Sequence, residues 1–494
     1  MTTAPPLRIA ILGGGTAGWM TACVVARAWP SAAVTVTESP EIGIVGVGEG
    51  STPQLAQLFA DLGIADRDWM PRADATYKAG IEFVRWSDKP GFTRYFHPFA
   101  NAVDLHTEPA FHHAAKLRRA GRGVDAHPDP YFLNSRLAAE NRAPVAPEHW
   151  PFRTGYGYHF DAHKVGHVLR DHALGLGVRH LARKVVEVEV VGDHVAALVL
   201  DEGERVEADL FVDASGFRSV IAQGALGVRF VSFAENLFND RAVVMPTPPG
   251  LAGPRPSTRA TALSAGWAWD IPLTTRTGNG YVYSGRYIDP DDAERELRAH
   301  LGVGENVPAR HLQMKVGRVE TSWTGNCLAI GLAQGFVEPL EATALHVVQT
   351  TIETFVRTWA DGGFTPRHRD AFNAAITARL EGIRDYIVAH YRLARRSDTE
   401  YWRDATAHDR LSGSLKAVMT CWFTGGDLPD EIARQDIARY YAPLSWGCLL
   451  AGYGVFPDVR TSGPELSDYR EFLTRCTANF PLHADVLAEL RAST

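Results

Sequence analysis

The order of elements in the first thirty residues constrains the fold more than any other feature. Residues 7–12 (LRIAIL) are a short apolar run typical of a buried strand, residues 13–18 read GGGTAG, and the next stretch is typical of a helix. Gly13, Gly15 and Gly18 have the GxGxxG spacing, in which the first glycine permits a tight turn, the second lets the backbone approach a pyrophosphate and the third lets the helix pack on the strand. This pattern predicts a nucleotide-binding βαβ unit.

A second predicted strand supports this interpretation. AVTVTES at residues 33–39 contains Glu38, twenty residues after Gly18. An acid at this position suits a hydrogen bond to a ribose hydroxyl. Thr16 and Ala17 lie in the glycine loop that leads into the helix, whose N-terminus offers free N–H groups and a partial positive charge to phosphates. An ordinary glycine-rich turn is the alternative, but the order strand, glycines, helix, strand and acid favours a dinucleotide.

Residues 209–220 (DLFVDASGFRSV) form an apolar strand pattern that ends at Asp213. Alone it indicates a buried strand followed by a turn. Beside the first unit it is similar to the second nucleotide-contacting strand of flavoprotein monooxygenase-type folds. The sequence has no second GxGxxG unit, so we expect the flavin to arrive already reduced, with transient NAD(P)H binding left open.

Composition excludes several classes of function. The net charge of −7 argues against a nucleic-acid partner. The start of the chain lacks a cleavage site and no apolar run reaches membrane-spanning length, so we expect a cytoplasmic protein. Five separated cysteines without a CxxC motif predict reduced, mostly buried thiols. The adjacent histidines His112 and His113 have no cysteine or acid at ligand spacing, so no metal site is predicted.

Four further segments carry a family resemblance. They are GVGEGSTP at 46–53, YKAGIEFVRW at 77–86, GWAWDIP at 266–272 and NCLAIGLAQGFVEPLEATALHVVQ at 326–349. Together they resemble the flavin-dependent tryptophan halogenases, and residues 383–405 extend the likeness into the C-terminal third. The resemblance implies an α/β, flavoprotein monooxygenase-like FAD-binding fold. It also implies FAD used as FADH2, a separate flavin reductase and a small aromatic substrate.

The same resemblance implies a mechanism. Reduced FAD, oxygen and chloride or bromide give hypohalous acid, which passes through a tunnel to a separate aromatic pocket. Lys78 would hydrogen-bond this oxidant or form a haloamine, and so direct the halogen to the ring. Glu341 would pair with Lys78, stabilise the arenium cation and accept its proton. The alternatives are a solvated surface lysine and a structural acid at a helix start.

The resemblance also assigns ligand contacts. Backbone N–H groups of Thr343 and Ala344 would bind halide; the family commonly has glycine at the second position, and alanine restricts φ, which puts halide preference and turnover in question. The cofactor contacts are expected at Gly13, Gly15, Thr16, Ala17, Gly18, Glu38, Val47, Gly48, Asp213, Gly331 and Leu332.

Two tryptophans at alternate positions point the same way if residues 266–272 form a strand. By resemblance, Trp267 and Trp269, with Ile271 and Pro272, line the space near the flavin and keep an organic substrate from being hydroxylated. Core packing is the alternative.

The substrate side is predicted from two aromatic segments. His97 and Phe99 lie in YFHPF and would contact the substrate ring, although His97 also suits a packing role. Tyr440, Tyr441 and Trp446 lie where tryptophan enzymes grip the amino-acid end, but that pattern is not clearly kept. We therefore expect an indole-type or other electron-rich aromatic substrate, and free tryptophan is left open.

The predicted organisation is a discontinuous FAD-binding domain, residues 1–75 and 155–385, with a mainly helical substrate-binding subdomain, residues 76–154 and 386–494. A strand at residues 194–200 is expected to extend the cofactor sheet. A flavin-dependent aromatic hydroxylase and a catalytically silent flavin-binding protein are the competing functions. The oligomeric state is left open between a monomer and a homodimer.

Overall fold

The computed structural model describes residues 6–41 and 48–492. Its strands are β1 Arg8–Leu12, β2 Ala33–Thr37, β3 Glu49–Gly50, β4 Thr76–Lys78, β5 Gly80–Val84, β6 Arg94–Pro98, β7 Arg122–Gly123, β8 Gly157–Phe160, β9 Arg179–Leu181, β10 Val185–Val191, β11 His194–Leu200, β12 Arg205–Val206, β13 Leu210–Asp213, β14 Phe230–Ser232, β15 Arg241–Val244, β16 Ser257–Leu263, β17 Gly266–Pro272, β18 Thr277–Tyr283, β19 Arg310–Gln313, β20 Gly317–Val319, β21 Trp323–Thr324, β22 Cys327–Ala329, β23 Gly335–Phe336 and β24 Thr461–Ser462. Its α-helices are α1 Thr16–Ala28, α2 Gln54–Leu62, α3 Asp66–Trp69, α4 Glu108–Arg119, α5 Leu133–Ala139, α6 Ala162–Gly175, α7 Pro290–Leu301, α8 Ala344–Asp361, α9 Arg369–Leu393, α10 Glu400–Ala407, α11 Gly413–Phe423, α12 Leu428–Arg434, α13 Pro443–Gly452, α14 Asp468–Thr477 and α15 His483–Ala492.

A six-stranded sheet forms the predicted nucleotide-binding unit. Its order is β21-β22-β13-β1-β2-β9, and every neighbouring pair is parallel except β21 with β22. The apolar residues of β1 are buried between β2 and β13, as a central parallel strand requires. Helix α1 packs between this sheet and helices α6 and α8. The predicted α/β fold is therefore confirmed.

The predicted strand at residues 77–86 is in fact two strands in different sheets. β4 belongs to the three-stranded sheet β3-β8-β4, and β5 belongs to the seven-stranded sheet β19-β15-β18-β17-β16-β5-β6. The break is at Ala79, whose N–H donates to the carbonyl of Pro256 over 2.7 Å and whose carbonyl accepts from Phe99 over 2.9 Å. Lys78 thus lies where the two sheets meet.

The two segments of the predicted substrate-binding subdomain, residues 76–154 and 386–494, differ in their secondary structure. Beyond α9 the described chain has six α-helices and one two-residue strand, β24, whereas residues 76–154 also supply β5 and β6 to the seven-stranded sheet. Helix α9 runs without a break through residue 385. The domain division stays a prediction.

The strand expected to extend the cofactor sheet, β11, instead pairs with β10 and β12 in a separate antiparallel sheet. The apolar pattern of β11 predicted a strand, but it carried no information about which strand would be its partner.

Two findings bear on the class of protein. No α-helix in residues 6–41 and 48–492 is both long enough and apolar enough to cross a membrane. Four of the five cysteines are buried and the fifth, Cys421, is partly exposed; all five are free.

The carboxylate of Asp213 organises the turn after β13. It is fully buried and accepts hydrogen bonds from the backbone N–H groups of Ser215, Ile221 and Ala222 and from the hydroxyls of Ser215 and Ser219. Both oxygens are therefore committed inside the protein. The side chain of Asp213 therefore shapes the turn, because the buried N–H groups around it need an acceptor. The expected cofactor contact of Asp213 stays a prediction.

Replacing Asp213 with alanine should lower the free energy of unfolding by about 3 kcal/mol, because two or more buried N–H groups lose their acceptor. Urea unfolding of the purified variant measures this loss. Asp193→Ala is the matched control, since the Asp193 side chain is 67% exposed, and it should change stability by less than about 0.5 kcal/mol. Equal stabilities would contradict the structural part given to Asp213.

Candidate active site

The three glycines after β1 have different surroundings. Gly13 has φ +119°, and a Cβ there would lie 2.2 Å from the carbonyl oxygen of Ala214. A Cβ on Gly18 would lie 1.9 Å from the carbonyl oxygen of Gly13. A Cβ on Gly15 would meet nothing within 4 Å. Two glycines are thus required by close packing, whereas the middle one faces open space at the N-terminus of α1, where a phosphate would be bound.

Other predicted cofactor contacts gather around this loop. The Glu38 carboxylate lies over Gly14, where an added Cβ would be 1.5 Å from its Oε2, and its Oε1 is 2.8 Å from Nε2 of His180. Gly331 has φ +58° and lies against Ala17, 2.9 Å from a built Cβ, with Leu332 next in the same 3₁₀ turn. The Thr16 hydroxyl donates to the carbonyl of Ala162, which leaves its backbone for a ligand.

The loop after β2 completes this side of the site. Val47 lies outside the described residues. Gly48 is buried with φ +87°, and a Cβ there would lie 3.5 Å from Nη1 of Arg276. The crowded glycines and the open N-terminus of α1 fit a dinucleotide such as FAD, because its pyrophosphate needs close backbone approach.

Lys78 is completely buried, and its Nζ makes no hydrogen bond within the described part of the chain. Nζ lies 5.3 Å from the ring centroid of Phe99 and 3.1 Å from the point where a Cβ on Gly50 would be. Burial lowers the pKa of Lys78 from 10.5 to about 7, although the negative charge of Glu341 acts in the opposite direction. An amine with this pKa is present in both its protonated and its neutral form near neutral pH.

Glu341 ends the 3₁₀ turn Pro339–Glu341 and is 5% exposed. Its Oε1 lies 3.2 Å from Nδ1 of His97 on β6 and 2.8 Å from Nε2 of His390 on α9. Burial alone would raise the pKa of Glu341, but His97 and His390 outweigh burial and lower it to about 2. The carboxylate therefore stays ionised.

The predicted pairing of Lys78 with Glu341 is not formed as a direct contact. Nζ of Lys78 has no partner among residues 6–41 and 48–492, and the nearest recorded neighbours of the carboxylate are the two histidines. The physical reason is that the carboxylate of Glu341 already lies against His97 and His390, at 3.2 and 2.8 Å. Attraction between the two charges acts across the site instead.

The expected halide contacts lie at the start of α8. Thr343 is the N-terminal flanking residue and Ala344 is the first helical residue, and no side chain caps this end. The first N–H groups of a helix have no partner within it and attract anions. The left-handed backbone falls on Ala342, with φ +55°, and not on Ala344. Alanine at position 344 therefore fits the helix without the φ restriction that the sequence suggested.

Trp267 and Trp269 lie on one face of β17, with ring centroids 6.2 Å apart. Nε1 of Trp267 donates to Oε2 of Glu338 over 3.3 Å, whereas Nε1 of Trp269 is buried without a partner in the part of the chain that the structure describes. Ile271 and Pro272 follow on the same strand, both buried. Packing and a barrier role are therefore compatible.

Glu338 is a residue that sequence reasoning missed. It is fully buried, accepts hydrogen bonds from Asn239 over 2.9 Å and from the hydroxyl of Tyr391, and its pKa is raised to about 7 by burial. Its position three residues before Glu341, on the same turn, was the signal that could have found it.

Three of the five predicted substrate residues, His97, Tyr441 and Trp446, form an aromatic cluster around Tyr386, which the sequence did not reveal. Tyr441 stacks on Tyr386 with centroids 3.6 Å apart, and Trp446 meets it edge-on at 4.8 Å. His97 is 6.2 Å from the same ring. The hydroxyl of Tyr441 and Nε1 of Trp446 are buried without partners among the described residues. These unpaired donors suit a ligand.

The last two predicted substrate residues, Tyr440 and Phe99, have different neighbours. Tyr440 lines a small cavity with Tyr441 and Trp446, and also packs against the guanidinium groups of Arg379 and Arg439. Phe99 lies on the Lys78 side, directly after β6.

Comparison with known proteins decides the family. The family model described as tryptophan halogenase matches residues 8–465. The chain belongs to the tryptophan halogenase family. It is 35% identical to a 7-chloro-L-tryptophan 6-halogenase of Kutzneria sp. (strain 744), over 97% of this chain and 99% of that protein. It is 37% identical to a tryptophan 6-halogenase of Streptomyces toxytricini, over 92% and 90%.

Solved structures agree with this assignment. The crystal structure of the Streptomyces toxytricini enzyme gives a TM-score of 0.86 at 32% identity, covering 99% of this chain and 100% of that one. A flavin-dependent halogenase from Brevundimonas sp. BAL3 gives 0.84 at 32% identity, with the same coverage. This halogenase is thus a flavin-dependent enzyme with FAD as its cofactor.

The lowered pKa of Lys78 predicts how stability depends on pH. Between about 7 and 10.5 the unfolded chain holds this proton and the folded chain does not, so stability rises with pH. Lys78→Met should therefore be more stable than the wild type at pH 7, and its advantage should shrink by about 1.4 kcal/mol for each pH unit towards pH 10.

Urea unfolding at pH 7, 8 and 9 tests this difference. Lys116→Met, at an exposed lysine on α4, is the control and should show no comparable slope. A difference between Lys78→Met and wild type that does not change with pH would refute the lowered pKa.

Proposed function

We propose that this halogenase uses FADH2, oxygen and chloride or bromide to halogenate an indole-type or other electron-rich aromatic substrate, with Lys78 directing the halogen. One observation carries the proposal: the buried amine of Lys78 has no partner in the described chain and lies beside both the loop of Gly50 and the ring of Phe99. A buried amine without a partner is costly unless a ligand uses it.

The loops at the carboxyl ends of β1, β13 and β22 would hold the cofactor, and the start of α8 would hold the halide through the N–H groups of Thr343 and Ala344. Bound FADH2 supplies the two electrons that, with oxygen, halide and a proton, give hypohalous acid and water. A separate flavin reductase would deliver FADH2, since the sequence has one GxGxxG unit. The passage from the cofactor side to Lys78 stays a prediction.

Lys78 would receive the oxidant. As an ammonium it donates a hydrogen bond to hypohalous acid, and as a free amine it forms a haloamine with loss of water. A pKa of about 7 makes both forms available at neutral pH. In either case the halogen is transferred as an electrophile to the aromatic carbon, and the amine returns to its starting state.

Glu341 would stabilise the cationic ring that forms when the halogen adds. Its pKa of about 2 makes it a weak base, but it guarantees a negative charge at pH 7. An arenium cation is a very strong acid, so transfer of its proton even to this carboxylate is favourable. His97 and His390 keep the carboxylate ionised and in place.

The two indoles of β17 would separate substrate from cofactor. Glu338 fixes Trp267, and Trp269 packs over Gly280, where a Cβ would lie 2.2 Å from its ring. Such fixed bulk favours halogenation over direct hydroxylation, because only a small oxidant needs to pass.

The substrate is proposed to lack a zwitterionic amino-acid end. Residues 440–456 (YYAPLSWGCLLAGYGVF) contain no charged side chain. Asp385, which lines the small cavity beside Tyr441, is already paired with Arg384 at 2.8 Å and accepts from Ser412 at 2.6 Å. The ammonium of a zwitterionic substrate would therefore find no free carboxylate among these residues, and burying it unpaired is unfavourable.

Lys78→Ala should still consume FADH2 but lose halogenation by about a hundredfold or more, because the group that directs the halogen is absent. Mass spectrometry of indole incubated with FADH2, oxygen and bromide gives the product, and absorbance follows flavin oxidation. Lys116→Ala is the control. Full halogenation by Lys78→Ala would show that its assigned role is wrong, and hydroxylated indole from the wild type would favour a monooxygenase.

A panel of indole, substituted indoles and free tryptophan should show kcat/KM higher for indole than for tryptophan by about tenfold or more, the ratio that 1.4 kcal/mol of unpaired-charge cost would give. Chromatography of the halogenated products with both halides measures it. Preference for free tryptophan would exclude the proposed substrate class while leaving the reaction intact.

A further inference from the structure

One face of helix α9 leads from the candidate active site to an arginine without an acidic partner. The face consists of His390, Tyr386, Gly382 and Arg379, whose spacing of three or four residues places them in one row along the helix. At one end, His390 lies against Glu341 at 2.8 Å. Tyr386 carries the aromatic cluster. Arg379 lies two turns further on, about 10 Å from Tyr386 along the helix axis.

The positive charge of Arg379 is not balanced by any carboxylate in the described chain. The side chain is partly buried, and its guanidinium has one hydrogen-bond acceptor among residues 6–41 and 48–492, the carbonyl of Arg439, at the long distance of 3.5 Å. Burial lowers the pKa of Arg379 and so does Arg439, whereas no carboxylate among the described residues raises it. Because a guanidinium has five N–H donors, most of them are left for a ligand.

His346 offers a second unpaired polar group to the same place. It lies in the first turn of α8, and its Nδ1 is buried without a hydrogen-bond partner in the part of the chain that the structure describes. Burial and the positive charge of Arg379 lower the pKa of His346 to about 4, so the ring is neutral at pH 7 and can present one N–H. A cation and an unpaired N–H together suit an acceptor that carries negative charge.

Tyr440 connects these two residues with the predicted substrate pocket. Its ring occupies the space left by Gly382, where an added Cβ would lie 2.3 Å from the ring, and it lines the small cavity beside Tyr441. The centroid of the same ring is 5.5 Å from the guanidinium of Arg379. An aromatic ring bound beside Tyr386 therefore needs only a short side chain to bring an acidic group past Tyr440 to Arg379.

We infer that Arg379 and His346 form an anion subsite for the substrate, and that the substrate is an aromatic compound with a carboxylate on a short side chain. The inference rests on the proposed function, because it concerns the substrate of the same site. It also agrees with the exclusion of a zwitterion: a carboxylate finds two donor groups here, whereas an ammonium finds Asp385 already paired. A free inorganic anion is the other source of the same chemistry.

Isothermal titration calorimetry without flavin and without halide measures the binding. The probe is indole-3-propionate, and its neutral amide is the matched compound. The wild type should bind the acid at least about tenfold more tightly than the amide, because hydrogen bonds to a charged acceptor are the stronger ones. Arg379→Gln should lose most of this preference and His346→Phe a part of it, while the affinity for the amide should change by less than about twofold in both.

Arg439→Gln is the control for these variants. Arg439 also lies against the ring of Tyr440, at 5.2 Å, but it is exposed and pairs with Asp436 at 3.1 Å. Its charge is therefore already balanced, and Arg439→Gln should keep the wild-type preference for the acid.

The ring of His346 gives a second measurement, independent of activity. A bound carboxylate favours the protonated imidazole, so saturating indole-3-propionate should raise the pKa of His346 and the amide should not. Arg379 on α9 opposes this protonation, and Tyr440 and Arg439 act in turn on Arg379. NMR titration of the histidine ring protons follows the change, with the His346 signal assigned by its absence in His346→Phe.

Equal affinity of the wild type for the acid and the amide would overturn the inference, and so would an unchanged preference in both Arg379→Gln and His346→Phe. If one variant does not fold, the other decides. Phosphate or acetate that binds as tightly as indole-3-propionate would assign the site to free anions and overturn the inference as well. Failure of the wild type to halogenate any aromatic substrate would instead remove the proposed function. Calorimetry still decides whether the carboxylate is bound, so the two failures are distinguishable.

Discussion

Two buried carboxylates on one turn hold the halves of this site together. Glu338 anchors Trp267 of the seven-stranded sheet, and Glu341, three residues on, gathers His97 from the sheet edge and His390 from α9. Buried carboxylates are unfavourable unless they accept strong hydrogen bonds. Because Oε2 of Glu338 and the carboxylate of Glu341 are contacted by residues distant in sequence, the turn can only take this shape when the sheet and the helix are in place.

The contrast between these two acids follows from their partners. Glu341 lies beside two imidazoles that favour its charge, so its pKa falls, whereas Glu338 accepts from an amide, a phenol and an indole, which do not offset burial fully, so its pKa rises to about 7. The turn thus carries Glu341, which stays ionised, on the Lys78 side, and Glu338, whose protonation changes near neutral pH, beside Trp267.

The cofactor loop could be predicted from sequence because its constraints are local. Gly13 has φ +119°, and a Cβ there would lie 2.2 Å from a carbonyl oxygen. Such a position requires glycine, so the constraint is visible in the sequence itself. The start of α8 could be predicted for the same reason, because its signal lies within a few neighbouring residues. Lys78 had no local signal, since a lysine in an alternating strand is usually exposed, and only the family resemblance singled it out.

The remaining contacts depend on tertiary structure. His97 and Glu341 are 244 residues apart, and no spacing rule connects them. The alternating pattern at residues 77–86 continues through Ala79 and gives no sign of the break between β4 and β5. Alternation indicates which face of a strand is buried, not which strand is its neighbour. Tyr386 and His390 lie four residues apart on one face of α9, a spacing that in an apolar helix predicts core packing as readily as a site.

The aromatic cluster and the amine are built on different parts of the fold. Tyr386 comes from α9, Tyr441 from the segment between α12 and α13, and Trp446 from α13, whereas Lys78 is held at the junction of two sheets. Directed evolution of new regioselectivity can therefore randomise the helical positions while the sheet junction stays fixed. Under the proposed function, ring orientation and oxidant delivery are then separate engineering problems in a single catalyst.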